Sequence, residues 1–181
     1  KQGITIRIKD TPPQATGGLT TAARVISEFG ITDAAQQSLV ADQILEATAM
    51  IESYCNRTFG LQEDLVESVA STGGFVLMLQ QTPILAITSI LFDGAAVASS
   101  EYSIQDAQAG LVYSHCRWND TGSYGQGIAQ EIYPNSEEKL YTVTYDAGYV
   151  LPGKAGRTLP RDIERACIEL VRHLRTLNSR G

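Results

Sequence analysis

The stretch YTVTYDAGYVLPGKAGRTLPRDIERACIELVRHLRTL, residues 141–177, decides how the chain is read. Tyr141, Val143 and Tyr145 alternate with polar residues, the period-2 pattern of a strand with one buried face. The strand breaks at Asp146-Ala147-Gly148 and a Gly/Pro loop follows. Pro160 suits the first turn of a helix, and Asp162 places a negative charge where the helix dipole favours one. Ile163, Ala166, Cys167, Leu170, Val171, Leu174 and Leu177 then recur at helical spacing, with Arg161, Arg165, Arg172 and Arg175 off that stripe. Nothing in the stretch has the pattern of a catalytic motif.

Upstream, Thr20 or Thr21 caps a short helix ending near Phe29, with Gly30 as the left-handed terminating residue. Thr32 or Asp33 caps a longer helix whose apolar positions are Val40, Ile44, Ala47, Ile51 and Tyr54, widened by Leu39, Met50 and Cys55. Asn56 or Gly60 ends it. From about Leu65 the pattern changes to short runs separated by turn signals, of which Asp93-Gly94 is a strong hairpin turn and Ala109-Gly110 a weaker one. Pro83 marks a strand end or edge. Residues 116–138 are polar, Gly-rich and long for a loop in a compact domain, a frequent mark of function.

The expected fold is therefore α+β. An N-terminal helical hairpin (19–60) and a C-terminal helix (160–177) pack together, with an inserted antiparallel β region (65–150) that carries a long loop. Residues 1–18, with an alternating ITIRI and two Gly/Pro pairs, read as an arm or linker, 19–177 as a single domain and 178–181 as a tail.

The 181 residues suffice for a core without disulfides or metals. No signal peptide is legible, and no apolar run approaches the roughly 18 residues of a membrane span. Net charge is −6, which disfavours broad nucleic-acid binding. The charge is uneven. From Arg157 to Gly181 six arginines face three acids, a net +3, leaving −9 on the remainder. A basic end on an acidic body fits either a polarised contact surface or a solvated helix face.

Motifs for chemistry are weak throughout. GSYGQG (122–127) has its glycines at the wrong offsets for a phosphate loop and precedes no helix. His115 and Cys116 are adjacent on a strand and point to opposite faces, so they make a poor ligand pair. A nucleophile pair of Cys116 with His173 lacks supporting flanks. Glu137-Glu138 and Glu63-Asp64 read as solvated loop acids. Cys55 and Cys167 read as small buried hydrophobes. On the last helix Asp162 can pair with Arg165, and Glu169 with Arg172, at i,i+3. Arg161, Arg175 and Arg180 have no obvious partner and are left for other molecules. Trp118 either enters the core or anchors an interface.

Four segments in order carry a resemblance: AARVISEFGITD with IESYCNRTF, QTPILAITSILFDG, YSIQDAQAGLVYS followed by Trp118, and YTVTYDAGYVLP with LPRDIERACIELVRHL. Together they resemble the tailed-bacteriophage head–tail connector family, also called adaptor or head-completion proteins, from Leu19 to Leu177. The resemblance implies a structural virion protein at the neck, without enzymatic activity or cofactor, made in the host bacterial cytoplasm. It implies a ring of about a dozen copies beneath the portal, closed by head-to-tail contacts. Its partners would be itself, the portal protein and a downstream neck or tail protein, with no membrane. DNA would pass along an acidic channel without specific binding. The portal contacts would map to Arg161, Arg172, Arg175 and Arg180. Inter-subunit or tail-side contacts would map to Trp118, Tyr124 and Tyr133 in the long loop. The alternatives are a stopper or tail-terminator protein, a small cytosolic enzyme using His115 and Cys116, and a nucleic-acid-binding module using the C-terminal arginines.

Overall fold

A computed structural model describes residues 17–71, 73–119 and 140–178. They form two compact units. One joins the segments up to Gly60 and from Leu151 onward, and the other is Leu61–Val150. The architecture is α+β with antiparallel sheets.

The helical unit holds α1 (Ala22–Phe29), α2 (Ala34–Cys55) and α3 (Arg161–Asn178). Their ends are set by local chemistry. The Thr21 hydroxyl accepts the Arg24 N–H at 3.3 Å, and Gly30 closes α1 in the left-handed region at φ 63°. Asp33 accepts the Ala35 N–H at 3.1 Å, and Asn56 closes α2 at φ 49°. α2 packs against both α1 and α3. The core comprises Leu19, Val25, Val40, Ile44, Ala47, Phe59, Leu151, Leu159, Cys167, Ile168 and Val171. Gly18 allows the entry segment to lie on α2, since a Cβ there would sit 2.6 Å from Ile44 Cγ2.

The buried faces differ from the expected stripes. On α2 the buried side runs through Val40, Ile44, Ala47, Thr48 and Glu52. Tyr54 is 92% exposed, and Leu39, Met50 and Cys55 are exposed as well. Two polar partners turn the C-terminal half of this helix. Thr48 accepts the Leu19 N–H at 3.1 Å and Glu52 accepts the Phe59 N–H at 2.9 Å, so the chain on either side folds onto that ridge. On α3 the buried residues are Glu164, Cys167, Ile168 and Val171, whereas Ala166 and Leu177 are exposed. A carboxylate enters the buried face because cations meet it there. Cys167 is a buried hydrophobe as expected, and burial pushes its thiol up to about 11.

Glu52 makes a test of its own. Burial raises its carboxyl above the ordinary 4.5, opposed in part by the Phe59 N–H, and Oε2 has no hydrogen-bond partner among the described residues. A raised folded-state value means that the folded chain binds the proton more tightly than the unfolded one. Stability therefore falls as pH rises from 4.5 through the folded-state value. Glu52→Gln is expected to stabilise the protein at pH 7 and to flatten that part of the profile. Urea titrations of both proteins between pH 4 and 8 check this.

The second unit has a four-stranded and a three-stranded sheet. Its strands are β1 (Gln62–Val69), β2 (Val76–Met78), β3 (Ile84–Phe92), β4 (Ala95–Ala96), β5 (Tyr102–Asp106), β6 (Leu111–Ser114) and β7 (Tyr141–Ala147). The larger sheet runs β1-β7-β3-β4 and the smaller β2-β6-β5, all neighbours antiparallel. β7 buries Tyr141, Val143, Tyr145 and Ala147 on one face, as its alternation predicts. Asp93 and Gly94 both take positive φ, 52° and 78°, and close the β3–β4 hairpin. Pro83 immediately precedes β3. Gly110 turns the chain into β6 at φ 75°, where a Cβ would lie 2.4 Å from the Leu79 carbonyl oxygen. Trp118, 3% exposed, joins Leu77, Ile90, Val112, Tyr141 and Val143 in the core.

Candidate docking surface

The helical unit carries an open groove of about 680 Å³. Its lining comes from the end of α1, the start of α2 and the end of α3: Glu28 and Phe29, then Gln36, Leu39 and Gln43, then Arg172, Arg175 and Thr176. Phe29 and Leu39 give it an apolar component and the two arginines a positive one.

The arginines of α3 play different parts. Arg165 pairs with Glu28 and reaches Glu169 at 2.5 Å. Arg172 pairs with Glu169 at 2.7 Å and Glu28 at 3.4 Å, and its guanidinium lies 5.0 Å above the Phe29 ring. Of the two pairs expected from i,i+3 spacing, Glu169 with Arg172 is present. Arg165 instead turns to Glu28 and Glu169, while Asp162 accepts the N–H of Ile163. These exposed pairs hold α1 to α3 in one geometry and add little stability.

Arg175 stands apart. Its Nη1 donates to Gln43 Oε1 at 3.1 Å and its Nη2 to Gln36 Oε1 at 3.2 Å. Both acceptors are neutral, so among the described residues this half-buried cation has no anionic partner. The two glutamines fix the plane of the guanidinium and leave its charge available. Arg161 is exposed at the first position of α3 and makes no hydrogen bond or ion pair among the described residues. Arg180, Tyr124 and Tyr133 lie outside the described residues.

The structure thus brings Arg172 and Arg175 into one groove and leaves Arg161 at the other end of α3. Trp118 belongs to the core of the second unit and does not reach its surface. The groove's glutamines and Glu28 are missing from the sequence reading. Gln36 and Gln43, seven apart on one helix, fall on one side of it, but nothing local indicates that α3 would bring an arginine between them.

An α+β fold with a basic groove, exposed apolar residues along α2 and no helix long and apolar enough to cross a membrane among the described residues fits a component of an assembly. Residues 18–177 match the head completion protein family, and the chain belongs to that family. Comparison with curated proteins gives no match. Membership points to a phage virion component that takes part in joining head and tail.

Proposed function

We propose that the protein forms a ring beneath the portal at the DNA-exit vertex, extends the DNA channel and joins the head to the tail, as a structural component without enzymatic activity. It is made in the host cytoplasm and incorporated into the virion. The observation that carries this reading is Arg175, a cation held rigidly in a groove by two neutral amides, without a carboxylate of its own. Such a group is prepared for an acidic partner surface, which we take to be the portal protein. Arg172, already held by Glu28 and Glu169, shapes the groove, and Arg161 extends the basic line along α3. The exposed Leu39, Leu45, Met50 and Tyr54 on α2 supply apolar area of the kind that assembly covers. The acidic remainder of the chain suits DNA that passes without being held.

Arg175→Glu is the test. It reverses the charge in the groove without touching the core. Attachment to purified portal-bearing heads is expected to weaken about tenfold or more, since losing a desolvated interface cation costs ~2 kcal/mol or more. Attachment at the wild-type level, with the far-ultraviolet spectrum unchanged, would remove the groove from the portal contact.

A further inference from the structure

Among the described residues, the three-stranded sheet β2-β6-β5 ends in two open edges. On β2, Phe75, Leu77 and Leu79 direct their main-chain groups towards β6: the Ser114 N–H reaches the Phe75 carbonyl at 2.8 Å, and the Leu79 N–H reaches the Gly110 carbonyl at 2.8 Å. By antiparallel alternation the main-chain groups of Val76 and Met78 face the open side. On β5, Ser103 lies opposite Tyr113, and the carbonyl of Glu101 accepts the His115 N–H at 2.8 Å. The main-chain groups of Tyr102 and Ile104 therefore face outward from the other edge.

β2 is short, and β5 bulges before the charged Asp106, but the pairing stretches of both edges lack blocking side chains. Val76-Leu77-Met78 and Tyr102-Ser103-Ile104-Gln105 contain no Lys, no Pro and no charge. Their apolar side chains are exposed: Val76 43%, Met78 65% and Ile104 37%. Both strands run antiparallel to β6 and hence parallel to one another. A copy brought alongside by the rotation that closes a ring would set its β5 next to β2 in a parallel ladder. The charges agree with that placement. At one end of the sheet Arg117 lies over the Phe75 ring at 4.8 Å, beside β2, while the exposed Glu101 precedes β5. Neither forms an ion pair among the described residues. Head-to-tail pairing would bring Arg117 of one copy towards Glu101 of the next.

We infer that β2 of one copy pairs with β5 of the next, so that the small sheets join into one continuous sheet around the ring. The occupant of each open edge is thus a second copy of this chain, in the heterologous contact that a closed ring needs. The inference rests on the ring reading proposed above.

Cross-linking in assembled particles tests it. Met78→Cys and Ser103→Cys, which pairing with Leu111 and Tyr113 of β6 puts on the same face of the sheet, would be introduced singly and together, in a chain whose exposed Cys55 and Cys116 are serine, and the particles treated with a short bis-maleimide. The expected result is a ladder of dimers, trimers and higher species from the double variant and none from either single variant. Dimers from Met78→Cys alone would show a two-fold β2–β2 contact and overturn the inference. So would the absence of any ladder in particles that still contain many copies per portal by mass spectrometry, an outcome that leaves the ring reading intact. A single copy per particle would overturn both.

Discussion

Trp118→Ala is expected to lower the stability of the isolated protein by about 3–5 kcal/mol, the usual cost of truncating a packed Trp. Trp118 is 3% exposed. Its ring meets Tyr141 edge-on at 5.1 Å and lies 6.5 Å from Tyr102, and Nε1–H donates to the Phe75 carbonyl at 3.1 Å. Removing it opens a void among Val112, Tyr141 and Val143, whose neighbours are strands of two different sheets. Trp118→Phe keeps most of the packing and loses chiefly one hydrogen bond, about 1 kcal/mol. The Phe75 carbonyl still accepts the Ser114 N–H. Urea titrations followed by far-ultraviolet circular dichroism give both values, since the protein's one Trp is removed in each variant. An interface anchor would behave differently. Its truncation would leave the isolated chain within about 0.5 kcal/mol of the parent and affect assembly alone.

The reason that Trp118 could not be assigned from the sequence is instructive. It stands next to Asn119-Asp120, at the head of a polar stretch with no period, so neither helical nor strand alternation says which way it points. Features set by neighbours in the chain were legible to within a residue or a few: a cap at Thr20 or Thr21 (Thr21 is used), at Thr32 or Asp33 (Asp33), an end at Asn56 or Gly60 (Asn56), Gly30 as terminator, Asp93-Gly94 as a hairpin turn, and the inward Tyr141, Val143 and Tyr145. Features set by distant residues were not. The β region reads as one set of short strands, yet the pairing divides it into two sheets, because β2 finds β6 and β1 finds β7 across long intervals. The C-terminal half of α2 turns its buried face towards Thr48 and Glu52 because Leu19 and Phe59 bring main-chain donors there. The site follows the same division. The surplus of arginine at the C-terminal end is visible in the sequence. That Arg172 is occupied while Arg175 is held only by amides depends on α1 and α2 lying beside α3.

Glu164→Ala is expected to cost about 3 kcal/mol, because it breaks a buried ion pair and leaves its cation behind. By position Glu164 is one more acid in the first turn of α3, where a carboxylate favours the helix dipole from the surface. It is in fact buried, at 3% exposure. Arg157 meets it at 2.7 Å and Arg24 at 3.7 Å, and the Thr20 hydroxyl donates to it at 3.3 Å. The other nitrogens of Arg157 donate to the Leu159 carbonyl at 3.3 and 3.1 Å. One carboxylate thus ties the entry to α1, α1 itself and the segment leading into α3. Arg157 keeps some access to water, so the expected cost lies at the low end of the range for buried pairs. Arg157→Ala should cost a similar amount by leaving the carboxylate buried with a weaker partner. The double variant should cost clearly less than the two single losses together, and that shortfall measures the pair directly. Additive losses in a urea-denaturation cycle would mean that Arg24 and Thr20 alone suffice to hold Glu164, and that the Arg157 contact adds no coupling.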